Sequence, residues 1–111
     1  MIDPLTLDQM RALVVVAEVG SFSAAARRLG RVQSAISQSI QAMEATLGVI
    51  LFDRSTRTPA LTEAGQAIVN DARAVLEGAR AIRAHAESIA ADVEPERLAH
   101  WCWNDDPALL T

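Results

Sequence analysis

Seven apolar residues in the second half of the chain recur at alternating steps of four and three: Ile68, Ala72, Val75, Ala79, Ile82, Ala86 and Ile89. This spacing places them on one stripe of a long helix. Thr62 is a good N-cap and the pattern ends before Pro95, so the sequence predicts a helix over residues 63–91. Such a helix is about 43 Å long, and a small domain cannot bury its whole stripe. We expect the same helix of a second copy to cover the rest; the alternative is a helix folded back on its own domain.

A second helical stripe lies in residues 33–48. It consists of Ile36, Ile40, Met43 and Leu47, at steps of four, three and four. The other faces carry uncharged side chains that both donate and accept hydrogen bonds: Ser34, Ser37, Gln38 and Gln41. Such a face suits the reading of base edges in a DNA groove, because Gln pairs bidentately with adenine and Ser serves several bases. The alternative is a plain amphipathic helix.

A first helix is predicted near the N-terminus. Thr6 and Gln9 form a capping-box pattern at its start, and Gly20 ends it. Its apolar face carries Met10, Leu13, Val14 and Ala17. Val15 and Val16 widen that face, so we expect this helix to be well buried.

A short helix over residues 24–29 follows, with Ser23 as its N-cap, Phe22 as a hydrophobic staple and Gly30 as its end. A short helix, a Gly-containing turn and a helix with a polar outer face form a helix-turn-helix pattern. Three arginines flank the turn, where DNA phosphates would run: Arg27, Arg28 and Arg31. The alternative is that they are solvated surface arginines.

Residues 49–61 predict a hairpin of the kind called a wing. Residues 49–52 are apolar and strand-like, residues 53–59 are polar and turn-like, and Ala60 and Leu61 form a second short strand. Arg54 and Arg57 lie at the base and tip of this wing, from which they reach phosphate or the minor groove. The alternative is an exposed turn without a partner.

The distribution of charge agrees with a nucleic-acid partner although the net charge is −4. Residues 20–60 carry five arginines against two acids, a net charge of +3, whereas residues 92–111 carry one arginine against five acids. Local charge governs contact with phosphates, so the basic middle of the chain is the candidate surface.

Composition excludes several other classes of protein. The single Cys102 forms no internal disulfide, and no stretch resembles a signal peptide or reaches the length of a membrane span, so we expect a cytoplasmic protein. His85, His100 and Cys102 lack zinc spacing, and we predict no metal or other cofactor. No nucleophile–base set or phosphate loop is present, so we predict no catalytic residues and no enzyme.

From Ala24 to Gly65 the sequence resembles the N-terminal domain of LysR-type transcriptional regulators. The matching segments are SAAARRLG (residues 23–30), QSAIS (33–37), LFDR (51–54) and LTEAG (61–65), together with Ile40, Met43, Glu44, Leu47 and Gly48. With the first and last helices the likeness covers about residues 5–91. It implies a mainly α fold: a winged helix-turn-helix of three helices and a two-stranded wing, followed by a long linker helix. In that family the linker helix pairs two copies, and each dimer presents two recognition helices to an interrupted palindrome. The resemblance therefore implies a homodimer, or a higher oligomer, that binds an interrupted palindromic operator in double-stranded DNA.

The resemblance also implies which residues contact DNA. Four fall where the family contacts bases: Gln33, Ser34, Ser37 and Gln38. The predicted contacts to the DNA backbone are Ser23, Arg27, Arg28, Arg31, Gln41, Arg54 and Arg57. The seven stripe residues of the last helix are the predicted dimerisation surface.

The chain departs from the family pattern at several positions. Many members carry a basic residue where Gln38 stands. Val32 replaces a frequent Ser cap, for which Ser34 is a substitute, and Thr58 and Pro59 stiffen the wing. The family continues into a large effector-binding domain, whereas the likeness here stops after Leu98, so we expect that domain to be absent and predict no small-molecule inducer site. The predicted organisation is a DNA-binding domain over residues 1–61, a dimerisation helix over 62–91 and an irregular tail over 92–111.

Two functions fit these features. The first is sequence-specific binding of double-stranded DNA as a dimer, by a DNA-binding transcription factor without an effector domain. The alternative is an interaction protein that forms mixed dimers with a full-length regulator through the linker helix.

Overall fold

The computed structural model describes residues 4–55 and 57–92. Its elements, in chain order, are α1 (Leu7–Val19), α2 (Phe22–Leu29), α3 (Gln33–Leu47), β1 (Phe52–Asp53), β2 (Ala60–Leu61) and α4 (Glu63–Asp92). The two strands pair antiparallel, with Phe52 opposite Leu61 and Asp53 opposite Ala60. This hairpin, residues 52–61, is the wing. The predicted fold class, a winged helix-turn-helix with a long helix after it, is confirmed.

The chain divides into two compact units between Glu77 and Gly78. The first contains α1, α2, α3, the wing and the first half of α4. Within the described residues, the second consists of the remainder of α4. The tail predicted from residue 92 onward lies, from residue 93, outside the described residues.

The capping box at the start of α1, and the glycines that end α1 and α2, are as the sequence predicts. The Thr6 hydroxyl accepts the Gln9 N–H at 3.0 Å, and the Gln9 side chain accepts the Thr6 N–H at 3.1 Å. Gly20, Gly30 and Gly48 close α1, α2 and α3 with φ angles of 73°, 66° and 73°. These left-handed conformations strain any residue with a Cβ, so glycine ends each helix sharply.

Three local predictions were wrong. Ser21, not Ser23, caps α2, because the extended Ser21 backbone lets its hydroxyl accept the Ala24 N–H at 3.1 Å. Neither Val32 nor Ser34 supplies a side-chain cap for α3. The first strand begins at Phe52 instead of Val49, because the Leu51 N–H bonds to a side chain of α3 and its carbonyl to the start of α4.

The core of the first unit forms where α1, α2 and α3 pack against one another, with the wing and α4 adding further residues. The buried hydrophobic residues are Ala12, Leu13, Val14, Val15, Val16, Ala25, Ala26, Ile36, Ile40, Met43, Leu51, Phe52, Val69 and Ala72. Val15 and Val16 are among them, so the expected burial of the first helix is confirmed. Each large aliphatic side chain in this core contributes about 1.5–3 kcal/mol through burial.

The start of α4 is fixed closely against the chain before the wing. The Thr62 N–H donates to the Leu51 carbonyl at 3.0 Å, and the Thr62 hydroxyl accepts the Gly65 N–H at 2.9 Å, which confirms Thr62 as a cap. A Cβ at position 65 would lie 2.1 Å from the Leu51 oxygen. Only glycine therefore permits this approach of helix to backbone.

The side chains of the apolar stripe of α4 become more exposed along the helix. In the first unit Ala72 is buried and Ile68 is half-buried, while Val75 is 44% exposed. In the second unit Ile82 is 72% exposed and Ile89 is 64% exposed. No helix of the described residues is both long and apolar enough to cross a membrane.

Candidate nucleic-acid interface

Helix α3 presents opposite surfaces to the core and to the outside. Ile36, Ile40 and Met43 are buried beneath it. The predicted base contacts lie on the other sides: Gln33, Ser34 and Gln38 are exposed, and Ser37 is half-buried. Gln41, a predicted backbone contact, is exposed one turn beyond Ser37. The burial pattern thus leaves an uncharged, hydrogen-bonding face open along α3.

A polar hollow of about 250 Å³ adjoins this face. Its lining comes from the start of α2, the start of α3 and the wing: Gly20, Ser21, Phe22, Ser23, Gln33, Arg57, Thr58 and Pro59. Three of the predicted DNA contacts, Ser23, Gln33 and Arg57, therefore meet here although they are distant in sequence. Hydroxyl, amide and guanidinium groups at helix starts suit the binding of a phosphate.

Two of the arginines near the turn are paired with acids of α1. Arg31 donates from both terminal nitrogens to the two carboxylate oxygens of Asp8. This bond lowers the pKa of Asp8 below its usual value and raises the pKa of Arg31. Arg28 donates to Glu18 at 3.3 Å, and Arg73 of α4 lies 3.9 Å from the same carboxylate. Arg28 and Arg31 therefore help to hold α2 and the turn against α1.

The two arginines of the wing, Arg54 and Arg57, also differ in whether they have an acidic partner. Arg54 lies 3.4 Å from a carboxylate oxygen of Glu44 on α3. Among residues 4–55 and 57–92, neither Arg57 nor Arg27 has an acidic partner. Of the arginines predicted to contact the DNA backbone, Arg28, Arg31 and Arg54 thus have acidic partners, whereas Arg27 and Arg57 have none within the described residues.

The turn of the wing opens at Asp53. Its carboxylate accepts the Ser55 N–H at 2.9 Å. Hydrogen bonds from the Ser55 hydroxyl and from this N–H hold the pKa of Asp53 below its usual value. Asp53 is thus a turn-forming residue whose negative charge is already satisfied.

Sequence reasoning missed the role of Glu44, which it named only among the residues that resemble the LysR family. The carboxylate accepts the Leu51 N–H at 2.8 Å as well as meeting Arg54. A signal was present, because a lone acid stands in an otherwise uncharged helix ten residues before an arginine. Sequence spacing alone does not show that the two side chains meet.

Of the three residues considered as metal ligands, only His85 lies in the described part of the chain. Within residues 4–55 and 57–92, no group of three or more His, Cys, Asp or Glu side chains is placed so that it could hold a metal ion. His85 is exposed on α4. His100 and Cys102, the other residues considered for ligation, lie outside the described residues.

The fold and this exposed helix face define a winged helix-turn-helix protein. The family model for bacterial regulatory helix-turn-helix proteins of the lysR family matches residues 7–66. The chain therefore belongs to the LysR family, and the resemblance seen in the sequence is confirmed.

Curated relatives and solved structures extend this comparison. The chain is 44% identical over 72 residues to the uncharacterized HTH-type transcriptional regulator y4mQ of Sinorhizobium fredii, covering 65% of this chain and 24% of that protein. It is 48% identical over 65 residues to the HTH-type transcriptional regulator TcbR of Pseudomonas sp. strain P51, covering 59% and 22%. The chain spans about a quarter of the length of these relatives.

Two crystal structures match the fold closely. A CbnR_DBD–DNA complex is 43% identical with a TM-score of 0.69, and the match covers 80% of this chain and 100% of that one. VV2_1132, a LysR family transcriptional regulator, is 34% identical with a TM-score of 0.77, covering 84% and 32%.

Proposed function

We propose that this protein is a dimeric transcription factor that binds a specific sequence in double-stranded DNA. The observation that carries the proposal is the open face of α3, where Gln33, Ser34 and Gln38 are exposed and uncharged. This face belongs to residues 20–60, which carry a net charge of +3. The similarity to a domain solved with DNA supports the same partner here.

Helix α3 lies in the major groove, where its exposed side chains contact the edges of the bases. A helix fits this groove, and its short polar side chains hydrogen-bond to base edges. Gln33 and Gln38 suit adenine, while Ser34 and Ser37 accept or donate to several bases. The absence of charge on this face favours selection by hydrogen-bond pattern over general attraction to DNA.

Phosphates are contacted around the polar hollow and along α2. Arg27 and Arg57 are the strongest candidates, because neither must leave an acidic partner within the described residues. Ser23 lies in the same hollow as Arg57, and exposed Gln41 lies along α3. Arg28 and Arg31 are weaker candidates, because their guanidinium groups bond to Glu18 and Asp8.

A second copy covers the exposed stripe of α4. Val75, Ile82 and Ile89 recur at steps of seven and are all substantially exposed. An apolar hollow of about 230 Å³ adjoins Val75, with Leu5, Met10, Met43, Leu47, Ile68, Asp71 and Ala72 as its other lining residues. Pairing two stripes removes this apolar surface from water. Ala72 packs in the core of its own domain, so the contact with the partner begins at Val75.

A symmetric dimer presents two copies of α3 and therefore binds an interrupted palindrome. One chain alone binds one half-site weakly. Once it is bound, the other chain of the dimer meets the second half-site at a high effective concentration. We propose that the protein acts on the bacterial chromosome in the cytoplasm. Its relatives are transcriptional regulators, and the proposal includes no catalytic step.

The test is fluorescence anisotropy of the purified chain with its own upstream DNA and with a shuffled control, at two salt concentrations. We expect preference for the upstream DNA, two chains per site, and affinity that falls steeply with salt as phosphate contacts release counterions. Equal binding to both DNAs would contradict sequence-specific recognition at that site. One chain per site would contradict the dimer.

A further inference from the structure

Glu44 is the acidic side chain of α3 that faces the wing. One carboxylate oxygen accepts the Leu51 N–H at 2.8 Å and lies 3.5 Å from the Phe52 N, and the other lies 3.4 Å from Arg54. The side chain is only 10% exposed. A carboxylate so enclosed needs partners that replace water, and these three groups supply them.

Arg54 is held from its other side by an aromatic ring. Its guanidinium carbon lies 5.5 Å from the centroid of the Phe22 ring, within the range of a cation–π contact. The Phe22 ring meets the Phe52 ring edge to face, with centroids 5.5 Å apart. Arg54 thus lies between α3 and the start of α2, and Phe52 begins the wing.

From this arrangement we propose that Glu44 is a positioning residue of the DNA interface, acting through Arg54 and the Leu51 N–H. The carboxylate fixes the wing against α3, so that Arg57 and the open face of α3 engage the same DNA. The inference rests on the proposed function, and it changes the role of Arg54. Instead of a contact to the DNA backbone, Arg54 supports the wing from within.

The physical reason lies in the difference between Arg54 and Arg57. To bind a phosphate, Arg54 would leave the enclosed carboxylate of Glu44 without its cation and would give up the Phe22 ring. Arg57 is exposed at the polar hollow and has no acidic partner among the described residues. A phosphate therefore recruits Arg57 at lower cost than Arg54.

The substitution Glu44→Gln separates the two roles because they predict opposite signs. Glutamine keeps a carbonyl oxygen for the Leu51 N–H but removes the charge that holds Arg54. If Arg54 supports the wing, DNA affinity falls by about tenfold, as expected when contact groups are misplaced. If Arg54 is a phosphate contact that Glu44 restrains, the variant binds DNA more tightly.

Glu63→Gln is the matched control, because it removes the same charge from an exposed residue that the site does not use. We expect this control not to weaken binding. The helical circular dichroism of each variant is compared with that of the wild type, so that loss of fold is recognised. The double variant Glu44→Gln with Arg54→Met is expected to bind about as weakly as either single variant, because the two residues act as a unit.

A second measurement does not depend on how well Glu44→Gln folds. The slope of log Kd against log salt concentration falls by about one for each phosphate contact that a substitution removes. Because two chains bind each site, Arg57→Met removes two phosphate contacts and is expected to lower the slope by about two, whereas Arg54→Met weakens binding without changing the slope. All affinities are measured for the full chain on its own upstream DNA and on the shuffled control.

Two results would overturn the inference: tighter binding by Glu44→Gln, or a slope lowered by Arg54→Met as much as by Arg57→Met. Either result, obtained while the wild type still prefers upstream DNA, contradicts the positioning role alone. A wild type that binds both DNAs equally contradicts the proposed function and the positioning role together.

Discussion

The apolar stripes of α3 and α4 share one sequence pattern but have opposite environments. Ile36 and Ile40 of α3 are fully buried, whereas Ile82 and Ile89 of α4 are largely exposed. Both stripes repeat at steps of three and four. The comparison teaches that periodicity predicts a helix and its apolar side, but not whether that side meets its own domain or another chain.

The largest effect on DNA affinity is expected from a substitution in the exposed apolar stripe of α4. Ile82→Asp places a charge in the proposed contact between two copies, so the protein becomes monomeric. Affinity for a full operator falls by about 100- to 10,000-fold, the gain that two linked contacts provide. Sedimentation velocity and anisotropy measure the two effects. A variant that remains dimeric would show that this stripe is not the interface.

The corresponding substitution in the buried stripe of α3 is expected to lower the stability of the fold. Ile40→Ala leaves a cavity in the core, and the free energy of unfolding falls by about 2–5 kcal/mol. Urea denaturation followed by circular dichroism gives this value. Ile82→Ala serves as the control on the exposed stripe, measured at a concentration where the protein is monomeric. Similar losses in both variants would remove the distinction between the stripes.

The outer face of α3 provides a smaller and more selective effect. Gln38→Ala is expected to change the preference at one base position by about 1–3 kcal/mol, because one hydrogen-bond pattern is removed. Competition binding with operators altered at single positions measures this preference. Thr46→Ala, an exposed change on another side of the helix, should leave it unaltered. Equal loss on every sequence would contradict base reading by Gln38.

The smallest effect concerns the pair Asp8 and Arg31, which holds the turn before α3. The pKa of Asp8 is lowered in the folded protein chiefly by its hydrogen bond with Arg31. The pair therefore adds stability above the usual Asp pKa of 3.8, and this is lost as the pH falls through the folded pKa. Asp8→Asn should lower the melting temperature slightly at pH 7, and the difference should shrink below pH 3.8. A constant difference at all pH values would contradict this origin.

The acidic partners of three arginines were not predicted from the sequence. The sequence placed Arg28, Arg31 and Arg54 near the turn and the wing, as the fold confirms, and assigned all three to DNA phosphates. Their acidic partners are distant in sequence: Asp8 stands 23 residues before Arg31, and Glu44 stands ten residues before Arg54. Sequence spacing does not show that such residues meet, because these pairs form only when α1 packs on the turn and α3 packs on the wing.

The sequence by itself determined the helices, their glycine ends, the wing and the family. These features depend on capping, on left-handed backbone at glycine and on apolar periodicity, all of which act within a few residues. Only the tertiary structure decided that Gly65 packs on Leu51 and that Glu44 joins α3 to the wing. These contacts depend on the approach of distant segments, which core packing fixes and local sequence does not specify.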